Sequence, residues 1–479
     1  MKNLSHKALT LDPSPNGEGG VPPSRLGEGL GMRDVGEGSR ARVKTLSSRK
    51  NFFTNLKKNK PAYFSLYILL FLIIIAILSP ILATDQPLYA KYKGNILFPA
   101  FSFQNKYEIK NPATSEIEYI QPDIADWKHM DLESVIWAPI PWSAGKSDWA
   151  NQGFVGPFDA QHFINTDPQK TRLPNRFRHW LGTNNSGEDV LAGIIHGTGI
   201  SLTVGLISMS IAGIIGILLG AIAGYYGDNG LFTTRGRFWT IILGILLAFY
   251  YAVLLRKFVL EDALATSGFR FMLESFFSLI IFTVIIYIFS IVGKYVGKIR
   301  LLSKKVNIPA DSIISRMIEI LISLPTLILI ISIAAIANRS LVNVMIIIGL
   351  TSWTLIARLT RAEMMRIRDL EYIQVAHAMG FSSARIMLKH ALPNGIAPAL
   401  VAIAFGVAAA ILVESALSFL GIGVPIQTVT WGKLLSQGKD QFSAWWLVVF
   451  PGLAIFITVT VYNLLGDALR DALDPRQRR

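Results

Sequence analysis

The chain has 479 residues, 51% of them hydrophobic and only 16% charged, and its mean hydropathy is positive. That profile belongs to a polytopic membrane protein and excludes an ordinary soluble domain. The lack of cysteine excludes disulfides, thiolate metal sites and thiol nucleophiles. The net charge of +14 is concentrated in short loops beside apolar stretches, which argues against a nucleic-acid-binding face.

Residues 1–50 are rich in Gly, Pro, Glu and Arg, and the pieces SPNGEGG and SRLGEGLG resemble a low-complexity repeat. With so little apolar content this stretch reads as a disordered basic leader. One expectation is that translation starts downstream, for instance at Met32. About sixty residues precede the first apolar span at 62–83, too long a lead for the n-region of a cleaved signal peptide. Residues 51–83 therefore read as an N-terminal signal anchor.

Residues 84–193 form one large polar segment, expected outside the membrane as a small subdomain. It carries 10 Lys+Arg against 13 Asp+Glu, unlike the basic loops elsewhere. Five of the ten tryptophans lie here (Trp127, Trp137, Trp142, Trp149 and Trp180), and packing inside that subdomain explains them better than a membrane interface or a soluble partner does. The run SAGKS, Ser143 to Ser147, imitates the end of a phosphate-binding loop. Ile140 stands where such a loop requires glycine, so nucleotide hydrolysis by that route is excluded.

A transmembrane helix needs about 20 mostly apolar residues. Beyond 62–83, candidates fall at 200–224, 237–255, 273–293, 313–337, 342–360, 395–420 and 444–466, making about eight spans. The expected fold is all-α and polytopic. Basic clusters at Arg49, Lys50, Lys57, Lys58 and Lys60, at Lys294 to Lys305, at Arg358 to Arg368, and at Arg470 to Arg479 fall on one side if all eight spans are real. The positive-inside rule makes that side, and both termini, cytoplasmic. Arg256 and Lys257 oppose it, partly offset by Glu261 and Asp262.

Between two apolar spans lies EYIQVAHAMGFSSARIMLKHALPN, residues 371–394. Gly380 is expected to end one short helix in the left-handed conformation, Ser382 or Ser383 to cap a second, and Pro393 to interrupt it. The product is a helix–turn–helix elbow with a small-residue face at Ala376, Ala378 and Gly380.

Glu414 is the one acidic residue well inside its span. A charge at mid-helix costs about 2.5–3.5 kcal/mol on insertion scales. It therefore lines a pathway or gate, bonds a neighbouring helix, or lies near the outer interface. Pro398 and Pro451 are either kinks that loosen their spans or ordinary membrane-helix prolines. His179, His196, His377 and His390 have no metal-ligand spacing and read as isolated histidines, and no hydrolase motif occurs.

Several blocks now match one family in order. HWLGTNNSGEDVLAGIIHGTGISLTVG (residues 179–205), the elbow, ESALSFLGIGVP (414–425) with Trp431-Gly432, and PGLAIFITVTVYNLLGDALRDALDP (451–475) resemble the dipeptide/oligopeptide branch of ABC-importer permeases. The outer loop TDQPLYAKYKGNILFP is similar to that of the subgroup whose importers also take up the peptide-nucleotide antibiotic microcin C. The resemblance covers about 50–230 and 309–479, and implies a type I permease core of about six helices. Residues 194–230 would hold the first core helix and 309–479 the rest. Residues 231–308 would be an insertion of two further spans, which keeps the parity of everything downstream.

The resemblance implies an oligopeptide or dipeptide importer subunit in a bacterial inner membrane. Its partners would be ABC ATPase subunits, a second, different permease and an extracytoplasmic binding protein. It implies no cofactor in this chain, ATP being used by the partner. It makes the elbow the ATPase-coupling loop, with Glu371, Gln374, Ala376, Gly380 and Pro393 as its residues. The family's Glu-Ala-Ala is replaced here by Gln374-Val375-Ala376. Nickel and other small solutes are carried by close relatives. A secondary transporter or channel would spread ionisable groups through its spans, and a membrane-anchored enzyme would need a catalytic constellation in 84–193.

Overall fold

The computed structural model describes residues 60–102, 106–110, 117–163, 171–266, 268–425, 427–439 and 441–473. The leader, the basic residues before Lys60 and those after Leu473 lie outside them.

Helix α1 (Lys60–Leu82) is apolar on every side, so nothing but length and composition singles it out as a span. It packs against α2 (Val190–Tyr226), whose 37 residues make it about 55 Å long. That exceeds the ~30 Å hydrocarbon thickness, so α2 has ends to spare. It begins ten residues before the expected 200–224 span because the Asp189 carboxylate caps it, accepting from Ala192 N at 2.6 Å.

The polar segment between α1 and α2 folds as short antiparallel strands rather than helices. Strands β1 (Tyr89–Tyr92), β2 (Asn95–Leu97) and β5 (Ser134–Ile136) form a sheet in the order β2-β1-β5, and β3 (Tyr107–Lys110) pairs with β4 (Ile117–Ile120). Ala90, Leu97, Ile109, Ile120, Trp127 and Trp137 make its core. Trp142 is also buried, whereas Trp149 and Trp180 are exposed. The expected packing thus holds for three of the five tryptophans.

After α2, residues 232–234 pair antiparallel with 305–307, and Ser312 donates to Asp228 through both its backbone N, at 2.8 Å, and its hydroxyl, at 2.6 Å. These bonds close the base of a loop that contains α3 (Arg235–Phe249), α4 (Lys257–Thr266) and α5 (Gly268–Val296). Helices α3 and α5 pack on each other: a Cβ on Gly244 would lie 2.5 Å from Phe289 Cβ. The two ends of this loop therefore meet at one point of the core.

The expected span 313–337 is not one helix. Helices α6 (Ala310–Ser323) and α7 (Thr326–Ile336) meet at 85°. Leu324, preceding Pro325, is extended at φ −98°, ψ 136°, because proline disfavours helical backbone in the residue before it. Counting this bent pair as one span gives eight, and omitting it gives seven.

Helix α8 (Leu341–Arg368) makes the most extensive packing on α2. Gly216, Gly220 and Gly224, one per turn, let the backbones touch: a Cβ on Gly220 would lie 2.5 Å from Ala357 O. Lipid offers no hydrophobic drive for helix pairing, so such close van der Waals contact carries the association. Helix α9 (Glu371–Ala378) follows, then a helical stretch over 383–395 with a π-turn at Met387–Ala391. Helix α10 (Ala397–Phe419), α11 (Trp431–Lys439) and α12 (Trp446–Leu473) complete the core. Pro398 sits in the first turn of α10, where no amide bond is lost, so it does not kink that helix, whereas Pro451 is internal to α12 and buried.

Candidate functional site

The two ends of α2 organise two sites. At its C-terminal end the elbow packs as its own small core: Ile373, Ala376, Ile386, Met387 and Ala391 close on Ala221, Tyr225, Met364 and Ile367. His377 Nε2 lies 3.0 Å from the Tyr225 hydroxyl, and Arg368 donates to Gly224 O at 3.3 Å. Gly380 has φ +80° and ends α9 as expected. Ser382 holds the N-cap position of the next helix without making a capping bond through its side chain.

The expected small-residue face is divided. Ala376 turns inward and is 9% exposed, while Ala378 and Gly380 face outward. Ala376 is three positions from Ile373, so both fall on the buried stripe of α9. Glu371 and Gln374 are exposed, and Gln374 Nε2 donates to Asp369 O at 3.2 Å. Pro393 is exposed in the first turn after the π-turn, whose shifted hydrogen bonds absorb its missing N–H. It therefore does not end the helix, and the break comes at Ile396.

The outward face carries large apolar residues that the sequence pattern alone did not single out. Tyr372 and Val375 on α9 and Met379 at its C-cap lie at i, i+3 and i+7, and Phe381 and Leu388 follow in the turn and second helix. Their helical spacing was visible in the sequence. What burial alone decides is which of two apolar stripes stays uncovered.

At the N-terminal end of α2 the block beginning at His179 forms a junction. His179 is fully buried, with Nδ1 2.8 Å from Asp189 and Nε2 3.1 Å from Asp148. Burial opposes a charged imidazole there, but the two carboxylates raise its pKa overall. The reading of His179 as isolated is therefore corrected: its partners lie 10 and 31 positions away. His196 Nε2 meets Ala83 O at 2.9 Å. Among the described residues no group of three or more His, Cys, Asp or Glu is arranged to hold a metal ion.

The same junction ties the polar segment to the core. Trp446 donates to Thr183 O, and Trp431 to Ile194 O, both at 3.0 Å. Gly182, with φ +78°, lets Val155 O approach to 2.7 Å of where a Cβ would be. Glu414 is fully buried beneath this corner, accepting from Ser418 Oγ at 2.6 Å and from Thr430. Its polar neighbours are Ser415 and Ser418 within α10 and Thr430 just before α11.

Two family models match the chain: "binding-protein-dependent transport system inner membrane component" over residues 299–479, and "N-terminal TM domain of oligopeptide transport permease C" over residues 47–99. The inner membrane ABC transporter permease protein YejE of Escherichia coli (strain K12) is 28% identical, over 89% of this chain and 96% of its own length. The dipeptide transport system permease protein DppC of Alkalihalophilus pseudofirmus is 30% identical, over 68% of this chain and 81% of its own. The peptidoglycan transport system permease protein YejE of Agrobacterium fabrum is 26% identical, over 89% and 93%.

Proposed function

The chain belongs to the family of binding-protein-dependent transport system inner membrane components, and from that premise we propose that it forms half of the path by which an ATP-driven importer carries oligopeptides or dipeptides inward. It is a multi-pass permease subunit of the inner membrane. A different permease supplies the other half of the path, separate ATPase subunits hydrolyse ATP, and a binding protein delivers the solute from outside. Both termini face the cytoplasm. Microcin C-like peptides are within the proposed substrate range.

The observation that carries this reading is the placement of two dissimilar surfaces at opposite ends of one helix. The polar segment meets α2 at Asp189, and the elbow meets it at Tyr225, about 55 Å apart by helix rise. One surface suits a soluble donor outside and the other an ATPase inside. The exposed row Tyr372, Val375 and Met379, with Gly380 beyond it, is the part of the elbow that enters the ATPase cleft. Ala376 acts from beneath by holding that row against α8, so that a shift of the ATPase moves a rigid unit. Glu371, Gln374 and Pro393 border the same contact.

The test is Gly380→Asp in the assembled importer reconstituted with its binding protein. Insertion and assembly remain, and substrate-stimulated ATP hydrolysis is lost. Transport at the wild-type rate by that variant removes the elbow from the mechanism.

A further inference from the structure

The outer segment forms an open cleft of about 680 Å³ beside the α2 junction, with which it shares Asp148. Asp85, Lys128, Trp142, Asp148, Trp149 and His162 line it. The carboxylates there are already engaged, Asp126 by His129 Nδ1 at 2.7 Å. Asp85 accepts from Ser143 and Lys146, and Asp148 accepts from His179, Asn151 and the Ala150 amide.

The donors are not all engaged. Lys128 Nζ stands 2.8 Å from the centre of the Trp142 ring and 5.6 Å from that of Phe177, and among the described residues no carboxylate forms an ion pair with it. Burial pushes its pKa down to about 7, against the pull of Asp85, Asp148 and Asp189. Among the described residues His162 Nδ1 has no hydrogen-bond partner and is buried. An aromatic-held cation with no ion pair leaves free energy unrealised until an anion arrives. The rim supplies the complementary apolar surface, since Ile124 and Trp149 are 76% and 74% exposed.

We propose that this cavity is a binding site on the permease itself for a small carboxylate ligand, the C-terminal end of a short peptide. Its carboxylate pairs with Lys128, and its side chains lie on Ile124 and Trp149. The volume suits two or three residues, and a site of this kind on the outer face captures solute beside the transport path. Only the choice of a peptide over another carboxylate rests on the function proposed above.

The experiment is calorimetric titration of the full chain in lipid nanodiscs with dialanine, dialanine amide and inorganic phosphate. Saturable binding of dialanine, at least tenfold weaker for the amide and unaffected by equimolar phosphate, is the expected result. Lys128→Met weakens dialanine at least tenfold while retaining the wild-type melting temperature or raising it, because a buried unpaired cation is removed. Trp149→Ala, on the exposed rim, weakens it several-fold. Absence of saturable dialanine binding at millimolar concentration, equal affinity for acid and amide, or displacement by phosphate overturns the proposal. Should Lys128→Met fail to fold, the acid–amide comparison on wild-type protein still decides. Transport by the assembled importer is read separately, so loss of this site is distinguishable from loss of the import function.

Discussion

The hydroxyl of Tyr225, at the end of the long helix α2, lies 3.0 Å from Nε2 of His377 in the first half of the elbow. With the contact of Ala376 on the same small core, it makes the elbow part of the membrane bundle rather than a connector hung from it. A force applied to α9 from outside the membrane is therefore delivered to α2 and α8 together.

Tyr225→Phe removes this bond while leaving the aromatic packing. The expected local loss is about 1 kcal/mol, the usual net value of such a bond. Amide exchange across 371–395 accelerates several-fold, and substrate-stimulated ATP hydrolysis in the assembled importer falls without change in expression. Unchanged exchange in that segment means the bond does not hold the elbow.

Gly220→Val tests the α2–α8 contact. Its Cβ would meet Ala357 O at 2.5 Å and Thr360 Cβ at 2.8 Å, so the helices must separate. Overpacking of this kind costs about 1–3 kcal/mol or more, read as a lower melting temperature in detergent. Gly380→Ala is the contrast, because its Cβ meets nothing within 4 Å and only the positive φ is strained. That strain is about 1–2 kcal/mol and is confined to the elbow, so the global melting temperature stays near wild type.

The His179 bridge makes stability depend on pH. The pKa of His179 is raised in the folded chain, so its contribution is complete below its unfolded value, near 6.5, and is lost as pH rises through the higher folded value. Burial pushes the Asp148 carboxyl up, but bonds from His179 and Asn151 bring it below its ordinary range, so that contribution is lost only in strong acid. Lys128 has the opposite sign to His179: stability grows as pH climbs from about 7 toward its unfolded value. The measurement is therefore melting temperature from pH 5 to 9 in a Lys128→Met background, where a decline toward pH 9 is expected. His179→Gln removes that slope; a slope that persists in it assigns the effect elsewhere.

Much of the architecture was legible because apolar length is a one-dimensional property. The spans at 60–82, 235–254 and 397–419 could be read by counting residues against bilayer thickness, and the elbow's turn followed from Gly380 alone. The bend at Leu324–Pro325 was also written in the sequence, since a proline after leucine biases that leucine away from helix. Its apolar surroundings argued the other way, and the backbone restriction prevailed.

What composition established by itself is the solvent: a chain this apolar must satisfy its backbone inside helices, while the placement of its basic residues sets only an expected direction for the spans. Only the tertiary structure decided which of two apolar stripes on α9 is covered, that His179 has two carboxylate partners, and that Glu414 is spent on an internal bond. The covered stripe and the Asp148–His179 contact depend on residues far apart in the chain meeting in space, as Tyr225 and His377 do, and no local period or propensity encodes such a meeting.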